Sequence, residues 1–383
     1  MGKKVLHVFA NLNRGGAESR IMDVYRYIDR NYVQFDFLVM EHGEHHFDEE
    51  IQFLGGKKYL VRDIREKGIL ANMIDIYKCI KGNGPYHAVH AHTAHHEGIV
   101  LLIARLAGIK KRVAHARTTS TQNANSIIKL FCVHIGRYLI RLNATNFLAI
   151  SNEAACYVFG KKILNKCNYR VIPNAIDLSL YLSTNIYNVE NIRRELGVPE
   201  DAFIIVHVGR LSKVKNQRFL IDVFYDIQKE KKDSFLVLIG DGEDRKFLED
   251  YAKILNIQNY IKFLGVRDDV PALLSCFDVF VMPSLYEGLG GAAIEAQAAG
   301  LPCVLSDTIP KIVDMELGLT SFLSLHDGIY LWADKILQYN NKSRPSKAKI
   351  KEAFYKKQFL LENEIIMLMD EYGITYPMEN KHE

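Results

Sequence analysis

Two glutamates flank a run of glycines in the segment Ser284–Asp307, which reads SLYEGLGGAAIEAQAAGLPCVLSD. Glu287 lies in a predicted loop, and Glu295 lies about one turn inside the predicted helix that follows. A carboxylate accepts several hydrogen bonds, which suits paired sugar hydroxyls, and glycines at a helix N-terminus expose N–H groups that suit phosphate. The alternative is a capping carboxylate beside an exposed helical glutamate. The segment favours a ligand that carries both sugar and phosphate.

A second group of candidates consists of cations after another predicted strand. Arg210, Lys213 and Lys215 precede an amphipathic helix, whose N-terminus carries a positive dipole. Cations in this place suit a diphosphate leaving group. The alternative is that Asn216 only caps the helix and that one of the lysines is solvated.

Two glycine turns also follow predicted strands. Gly15 and Gly16, in NLNRGGAE, allow a ligand to approach the backbone; the alternative is a tight turn in which Glu18 complements the helix N-terminus. Gly240 and Gly242 form a GDG turn that lacks the third glycine of a dinucleotide fingerprint. This absence argues against a dehydrogenase.

Histidines cluster in the segment AVHAHTAHHE, residues 88–97. His90 and His92 would share one face of a strand, and with Glu97 they could form a zinc site. Histidines at strand ends are common without a metal, so we expect no metal and no cofactor. His92 ends the strand and is the candidate for contact with a ligand.

Short apolar runs alternate with helical patterns and must position these residues. Such runs, separated by helices, indicate parallel sheets covered on both faces. We therefore predict an α/β protein of two doubly wound, Rossmann-like domains that face each other across a cleft lined by strand-end loops. The predicted strands are Lys4–Ala10, Gln34–Met40, Lys58–Val61, Ala88–His92, Arg112–Ala116, Phe147–Ile150, Ala202–Val208, Ser234–Ile239, Tyr260–Phe263, Val279–Met282 and Pro302–Ser306.

The domain boundary is predicted in VIPNAIDLSLY, residues 171–181, where Pro173 disfavours helix and Asn174 and Asp177 favour turns. The N-terminal domain is then 1–172 and the C-terminal domain 173–352. Residues 353–383 look helical without a strand to pair with, so we expect them to cross back to the first domain.

Composition limits the class of protein. A net charge of +4 is too small to indicate nucleic-acid binding. The first apolar run is too short for a secretory signal, and no later run approaches the ~20 residues that cross a bilayer. Six scattered cysteines favour buried thiols in a reducing compartment. We therefore expect a cytoplasmic protein.

A helix predicted over Ser126–Leu142 places Lys129, Arg137 and Arg141 on one arc beside apolar residues. A basic amphipathic helix can rest on anionic lipid, which would make the protein peripheral to the inner face of the plasma membrane. The alternative is a core helix with a basic solvent edge.

Six motifs in order carry a resemblance to a known family: GGAE (15–18), HAH (90–92), PNAID (173–177), GRLSKVKN (209–216), GDG (240–242) and a Glu-x7-Glu pair (287 and 295). Together they resemble the family 4 retaining glycosyltransferases of GT-B fold, and especially the bacterial members that assemble exopolysaccharide and capsule. Two positions depart from the family pattern. Ala175 replaces a usual glycine, and Glu243 replaces a common proline.

The resemblance implies residue roles. Arg210 and Lys215 would hold the donor diphosphate, Glu295 would hold the ribose, and Glu287 would hold the transferred sugar. Arg210, Lys215, Glu287 and His92 would be the catalytic residues. His92 would contact the sugar near the reacting carbon. Further donor contacts are implied for Gly15, Gly16, Gly240, Asp241, Val266, Gly288, Leu289, Gly290 and Gly291.

The resemblance further implies the reaction. A sugar would pass from a nucleoside-diphosphate sugar, with UDP the usual carrier, to a glycan or lipid-linked acceptor bound by the N-terminal domain. Transfer would retain anomeric configuration and need no metal, because cations and helix N-termini stabilise the leaving diphosphate. The alternatives are a GT-B nucleotide-sugar epimerase and a non-catalytic sugar-binding protein.

Overall fold

The computed structural model describes residues 2–13, 15–118, 127–183, 186–340 and 342–377. The chain divides into two compact units. Unit 1 comprises residues 1–176 and 359–383, and unit 2 comprises residues 177–358.

Thirteen strands occur in the described residues. They are β1 (Lys3–Val8), β2 (Val33–Val39), β3 (Lys58–Leu60), β4 (Ala88–Ala91), β5 (Lys111–Ala116), β6 (Asn146–Ala149), β7 (Tyr169–Val171), β8 (Phe203–Val208), β9 (Ser234–Ile239), β10 (Ile261–Gly265), β11 (Val279–Met282), β12 (Cys303–Ser306) and β13 (Thr320–Leu323). Unit 1 holds a sheet in the order β3-β2-β1-β4-β5-β6-β7, and unit 2 one in the order β10-β9-β8-β11-β12-β13. All neighbouring strands are parallel.

The helices alternate with these strands. They are α1 (Gly16–Tyr27), α2 (Asp48–Phe53), α3 (Ile64–Lys67), α4 (Ile69–Asn83), α5 (Glu97–Leu106), α6 (Ile127–Asn143), α7 (Asn152–Phe159), α8 (Ser179–Leu182), α9 (Ile186–Glu195), α10 (Gln217–Glu230), α11 (Arg245–Ile254), α12 (Val270–Leu274), α13 (Gly291–Ala298), α14 (Ile329–Leu337), α15 (Lys347–Lys356) and α16 (Leu361–Tyr372). Four short 3₁₀ turns lie at 94–96, 161–165, 258–260 and 311–313.

Each unit has its own apolar core. The β9 strand is buried at all six positions, as expected for a strand covered on both faces. In unit 1, α16 contributes Leu361, Ile365 and Leu368 to the core that β1 and β2 line. The C-terminal helix therefore packs in unit 1 although unit 2 precedes it in the chain.

The prediction of two doubly wound domains with parallel sheets is confirmed, and the predicted strands end within two residues of the observed ones. The strands β7 and β13 were not predicted, because both are short edge strands without a continuous buried run. The units change at residues 176/177 and 358/359, rather than at the predicted 172/173 and 352/353. All six cysteines are free, but Cys132 and Cys167 are exposed, which corrects the expectation of buried thiols.

Candidate active site

Both sheets reverse their strand order at an equivalent place. The reversal lies between β1 and β4 in unit 1 and between β8 and β11 in unit 2. Ligands of doubly wound folds bind beyond the carboxyl ends of the strands at this switch point. The predicted site residues follow these four strands and their neighbours.

Lys215 and Glu287 meet at the switch point of unit 2. The Lys215 ammonium lies 2.5 Å from Glu287 Oε1, and the Ser284 hydroxyl donates to the same oxygen at 2.7 Å. The stem of Lys215 crosses Gly209, where an added methyl group would lie 3.6 Å from Lys215 Cε. Lys213 is exposed. The structure therefore distinguishes the two lysines: Lys215 pairs with Glu287, and Lys213 lies at the surface.

Two buried residues that sequence reasoning missed hold the cation loop, defined here as residues Arg210–Asn216. Gln217 Nε2 donates to the Arg210 carbonyl at 2.8 Å and lies 3.2 Å from His207 Nε2. His207 Nδ1 lies 2.9 Å from the Val281 carbonyl, which can only accept, so Nδ1 carries the proton and Nε2 accepts from Gln217. Burial lowers the pKa of His207 to about 4, so the ring is neutral at pH 7.

Asn216 does not cap α10 with its side chain. It stands at the N-cap position with a left-handed backbone, φ +57° and ψ +38°, and makes no side-chain bond to the helix. Its Nδ2 donates instead to the Pro283 carbonyl at 3.2 Å. The residue therefore ties the cation loop to the segment after β11, which corrects the capping interpretation.

The GDG turn packs against the cation loop. Gly240 has a φ of +125°, and a side chain there would collide with the Gly209 carbonyl oxygen. A side chain at Gly242 would collide in the same way with the Leu211 carbonyl. Asp241 is exposed and accepts from the Gly242 N–H at 2.8 Å. Both glycines are therefore needed for the contact between two strand-end loops.

Arg210 is paired with a carboxylate. Its Nε lies 3.1 Å from Glu243 Oε2, and the two side chains are 68% and 51% exposed. Glu243 stands where the resemblance favours proline, and in the structure it pairs with Arg210, the cation expected to bind diphosphate. Val266, directly after β10, is exposed.

The glycine turn, residues Gly288–Gly291, leads into α13. Gly290 is the N-cap and has a left-handed backbone with a φ of +92°. Leu289 is buried, whereas an added side chain at Gly291 would meet nothing within 4 Å. Glu295 lies about one turn further along α13 and is partly buried. The first turn of α13 therefore begins four residues after Glu287, with open space at Gly291, and a helix N-terminus of this kind suits an anion.

In unit 1, Gly15 and Gly16 begin α1 just after β1. Gly15 is the N-cap, and the Glu18 carboxylate folds back against it. Burial raises the pKa of Glu18. An added side chain at Gly16 would meet nothing within 4 Å. Glu18 thus complements the helix N-terminus, and open space remains at Gly16.

Four histidines on or directly after neighbouring strands of unit 1 form what we call the histidine cluster: His7, His90, His92 and His115. His7 Nδ1 lies 3.1 Å from His92 Nε2, and His90 Nε2 lies 3.0 Å from His115 Nδ1. The Tyr372 hydroxyl of α16 lies 2.6 Å from His90 Nδ1. The cluster therefore links the sheet to the returning C-terminal helix.

Burial keeps the histidine cluster uncharged. It lowers the pKa of His7 to about 3 and holds the pKa of the other three well below the ordinary value. Among the described residues, His7, His90 and His92 offer ring atoms within 4.8 Å of one another, without Glu97. A metal fits poorly there, because the Arg117 guanidinium donates to His92 Nδ1 at 3.1 Å and its charge opposes a cation.

The arginines of α6 that were expected to face lipid bind unit 1 itself. Arg137 Nη2 donates to the Tyr157 carbonyl at 2.5 Å, and Arg141 Nη2 donates to the Phe159 carbonyl at 2.6 Å. Both carbonyls lie at the C-terminal end of α7, where cations are stabilising. Arg137 and Arg141 therefore tie α6 to α7, and contact of this basic face with a membrane stays a prediction; the side chain of Lys129 lies outside the described residues.

An apolar surface also lies on α6. We define the apolar stripe as four exposed residues spaced four, three and four positions apart: Phe131, Ile135, Tyr138 and Leu142. This spacing places them on one side of the helix. None of the helices within the described ranges is long and apolar enough to cross a bilayer.

Comparison with known proteins identifies the family. Residues 14–180 match Glycosyltransferase Family 4, and residues 188–317 match Glycosyl transferases group 1. Over 373 residues the chain is 38% identical to EpsF of Bacillus subtilis (strain 168), a protein assigned provisionally as a glycosyltransferase, and the match covers 97% of each chain. The chain belongs to the family 4 glycosyltransferases.

This glycosyltransferase also resembles better-defined proteins. It is 30% identical over 260 residues to the UDP-Gal:alpha-D-GlcNAc-diphosphoundecaprenol alpha-1,3-galactosyltransferase of Escherichia coli, across 65% of this chain and 64% of that protein. The crystal structure of Anabaena HepE in complex with UDP and glucose matches with a TM-score of 0.78 at 20% identity, covering 96% of this chain and 98% of that one. This likeness confirms the GT-B fold.

The predicted family, fold class and transferase activity are confirmed, and family membership contradicts the dehydrogenase alternative. The roles of individual residues stay predictions. The residues that sequence reasoning missed, His7, His115, Arg117, His207 and Gln217, had one weak signal in common. Each lies at or beside a strand end or helix start. A polar residue next to an apolar run is expected to be buried and therefore to need a hydrogen-bond partner.

Proposed function

We propose that the enzyme transfers a sugar from a UDP-sugar to a glycan or lipid-linked acceptor during synthesis of a surface polysaccharide, with retention of configuration and without a metal. The UDP complex of HepE supports the donor class. The diphosphoundecaprenol acceptor named for the Escherichia coli relative supports the acceptor class.

The observation that carries the proposal is the pairing of Lys215 with Glu287 beside the open N-terminus of α13. In the proposed complex, the diphosphate takes Lys215 from Glu287 and draws Arg210 from Glu243. The freed Glu287 carboxylate then binds hydroxyls of the transferred sugar, and Glu295 binds the ribose. The ion pair thus holds Lys215 and Glu287 in place until the donor binds. The diphosphate of the donor then pairs with Lys215, and the sugar hydroxyls bind Glu287.

The chemistry follows from where charge develops. Breaking the anomeric bond places negative charge on a phosphate oxygen, and Lys215, Arg210 and the N–H groups of α13 stabilise it. These positive groups supply what a metal would otherwise supply. The leaving phosphate accepts the acceptor proton on the same face of the sugar, which retains the configuration. His92 of unit 1 contacts the sugar in this scheme.

The test compares two lysines of one loop. Lys215→Ala should weaken UDP binding about 10- to 100-fold in calorimetry, because a charge-assisted hydrogen bond is lost. Lys213→Ala, four residues before α10 and exposed, is the matched control and should change the affinity less than about threefold. Equal losses in both variants would refute the site.

Turnover assays distinguish the reaction. A screen of nucleotide sugars by thermal shift identifies the donor, because a bound ligand raises the unfolding midpoint. With that donor, product should form only when an acceptor is present, and chelation with EDTA should leave the rate unchanged. Donor conversion without an acceptor would instead indicate the epimerase, and binding without turnover would indicate a sugar-binding protein.

We further propose that the enzyme works at the cytoplasmic face of the plasma membrane, with the apolar stripe of α6 resting on lipid. An acceptor with a polyprenyl chain stays in the bilayer, so the enzyme has to approach it there. Aromatic and aliphatic side chains on one helical face suit the interfacial region.

Co-sedimentation with anionic liposomes tests the stripe. Phe131→Ser together with Tyr138→Ser should abolish binding and leave the unfolding midpoint unchanged. Arg137→Ala together with Arg141→Ala should lower the midpoint, through loss of the α7 contacts, and leave liposome binding largely intact. If the serine variant still binds liposomes and the arginine variant does not, the membrane contact is made by Arg137 and Arg141.

A further inference from the structure

Arg117 connects His92 to the segment where the chain leaves unit 1. Its Nε–H donates to His92 Nδ1 at 3.1 Å, and its Nη1–H donates to Asn174 Oδ1 at 2.7 Å. The next residue, Ala175, donates its N–H to Glu364 Oε2 of α16 at 2.9 Å. One guanidinium therefore bridges the carboxyl end of β4 and the end of the first part of unit 1.

These bonds determine which nitrogen of His92 carries the proton. A guanidinium only donates, so Nδ1 of His92 must accept and cannot be protonated. Burial holds the pKa of His92 well below its ordinary value, so the ring is neutral and its single proton lies on Nε2. His7 Nδ1, 3.1 Å away, accepts from it. His92 is thus an Nε2–H donor.

The orientation of the ring is determined as well. Phe9 stacks on His92 with 4.2 Å between ring centroids and 6° between planes. A ring flip in this plane would break the bonds to both Arg117 and His7. Stacking and two hydrogen bonds therefore fix the plane, the edge and the tautomer of His92.

We propose that Arg117 is a positioning residue for sugar transfer: it holds His92 as an Nε2–H donor that can exchange His7 for an oxygen of the transferred sugar without a change of tautomer. The inference rests on the proposed function in that His92 is the residue that contacts the sugar. Arg117 touches no substrate in this scheme.

The choice of arginine follows from the geometry. The guanidinium presents N–H groups in a rigid fork, so one side chain reaches His92 and Asn174 in different directions. A lysine would retain the charge but could not make both bonds with fixed angles. A conservative substitution to lysine is therefore expected to fail.

Nitrogen NMR tests the tautomer directly. Full-length protein labelled with ¹⁵N-histidine should show the ring of His92, assigned by its disappearance in His92→Gln, protonated at Nε2 and unprotonated at Nδ1. Arg117→Met should shift this pattern toward Nδ1–H, and the control Arg105→Met should not. An Nδ1–H ring in the wild type, or an unchanged pattern in Arg117→Met, would overturn the proposal.

Kinetics test the consequence. Arg117→Met and Arg117→Lys should lower kcat by about tenfold or more, the scale of a misplaced donor. The affinity for UDP alone should be unchanged, because the diphosphate residues lie in unit 2. An unchanged kcat, or a parallel loss of UDP affinity, contradicts a positioning role. If Arg117→Met does not fold, Arg117→Lys and the wild-type spectrum decide.

Different results would contradict the sugar contact of His92 and the positioning role of Arg117. If His92→Ala leaves kcat unchanged, the proposed contact of His92 with sugar is wrong, and the catalytic role of Arg117 is wrong with it. If His92 of the wild type carries its proton on Nδ1, the positioning role of Arg117 is refuted. The contact of His92 with the sugar is a separate matter, which the kcat of His92→Ala tests directly.

Discussion

The two switch points occupy equivalent places in sheets that share the order of six strands, yet they differ in charge. In unit 2, the ion pairs of Lys215 and Arg210 lie partly or largely open to solvent. In unit 1, four neutral histidines are held in place by hydrogen bonds and by Arg117. In the proposed function, charges that exchange a carboxylate for a diphosphate have to be accessible, whereas a donor that keeps one tautomer benefits from burial.

The largest expected effect tests the ion pair of unit 2. Glu287→Gln should reduce kcat/KM on the order of 100-fold, because a carboxylate that binds the sugar in the transition state is lost. The affinity for UDP should stay equal or rise, because Lys215 no longer has a competing carboxylate. Kinetics and calorimetry on one preparation measure both. A large loss of UDP affinity would show that Glu287 acts on the nucleotide instead of the sugar.

The next largest effect tests whether the buried hydrogen bonds of Gln217 contribute to the stability and UDP binding of unit 2. Gln217→Leu leaves the Arg210 carbonyl and the His207 ring without their partner, which should cost about 1–3 kcal/mol of unfolding free energy. UDP binding should weaken as the cation loop loosens. Gln338→Leu, at the exposed C-cap residue that follows α14, is a matched control for loss of a glutamine. If Gln217→Leu changes neither quantity, the loop is held by other contacts.

The pH dependence of the unfolding free energy tests a buried carboxyl group of unit 1, Glu364. Burial raises the pKa of Glu364 from 4.5 to about 7. Between these values the folded state keeps a proton that the unfolded chain has lost, so this contribution to stability is full at low pH and disappears as pH rises through about 7. Glu364→Gln should remove it, changing the slope of unfolding free energy by at most about 1.4 kcal/mol per pH unit.

The amide of Glu364→Gln still offers an oxygen to the Ala175 N–H, so this hydrogen bond is preserved. Glu362→Gln on the same helix is the control and should retain the wild-type slope. Identical slopes for wild type and Glu364→Gln in denaturant titrations from pH 5 to 7 would mean that the carboxyl is already ionised when folded.

The smallest effect concerns the exposed pair of unit 2. Glu243→Ala should leave the unfolding midpoint unchanged, because exposed ion pairs contribute about 0–1 kcal/mol. UDP binding should tighten about two- to threefold at low salt, as Arg210 loses its competitor, and the difference should fade as salt screens the charges. Weaker binding would mean that Glu243 positions Arg210 for the diphosphate.

Much of the site could be predicted because strand ends are visible in sequence. Apolar runs gave the strands, and the polar residues after them included Lys215, Glu287 and His92. Partners could not be predicted in the same way. The bond between Arg117 and His92 joins residues 25 positions apart, and that between Lys215 and Glu287 joins residues 72 apart. Such pairs depend on strand order, which local pattern does not encode.

The Ser284–Asp307 segment shows which features depend on sequence alone and which depend on the tertiary structure. The sequence alone determined that a glycine turn and two carboxylates follow a buried strand, because periodicity and glycine content are local properties. Only the tertiary structure decided that Glu287 binds Lys215, that Glu243 binds Arg210 and that the arginines of α6 bind α7. A charged side chain takes its nearest partner in space, and the packing of distant elements decides which partner is nearest.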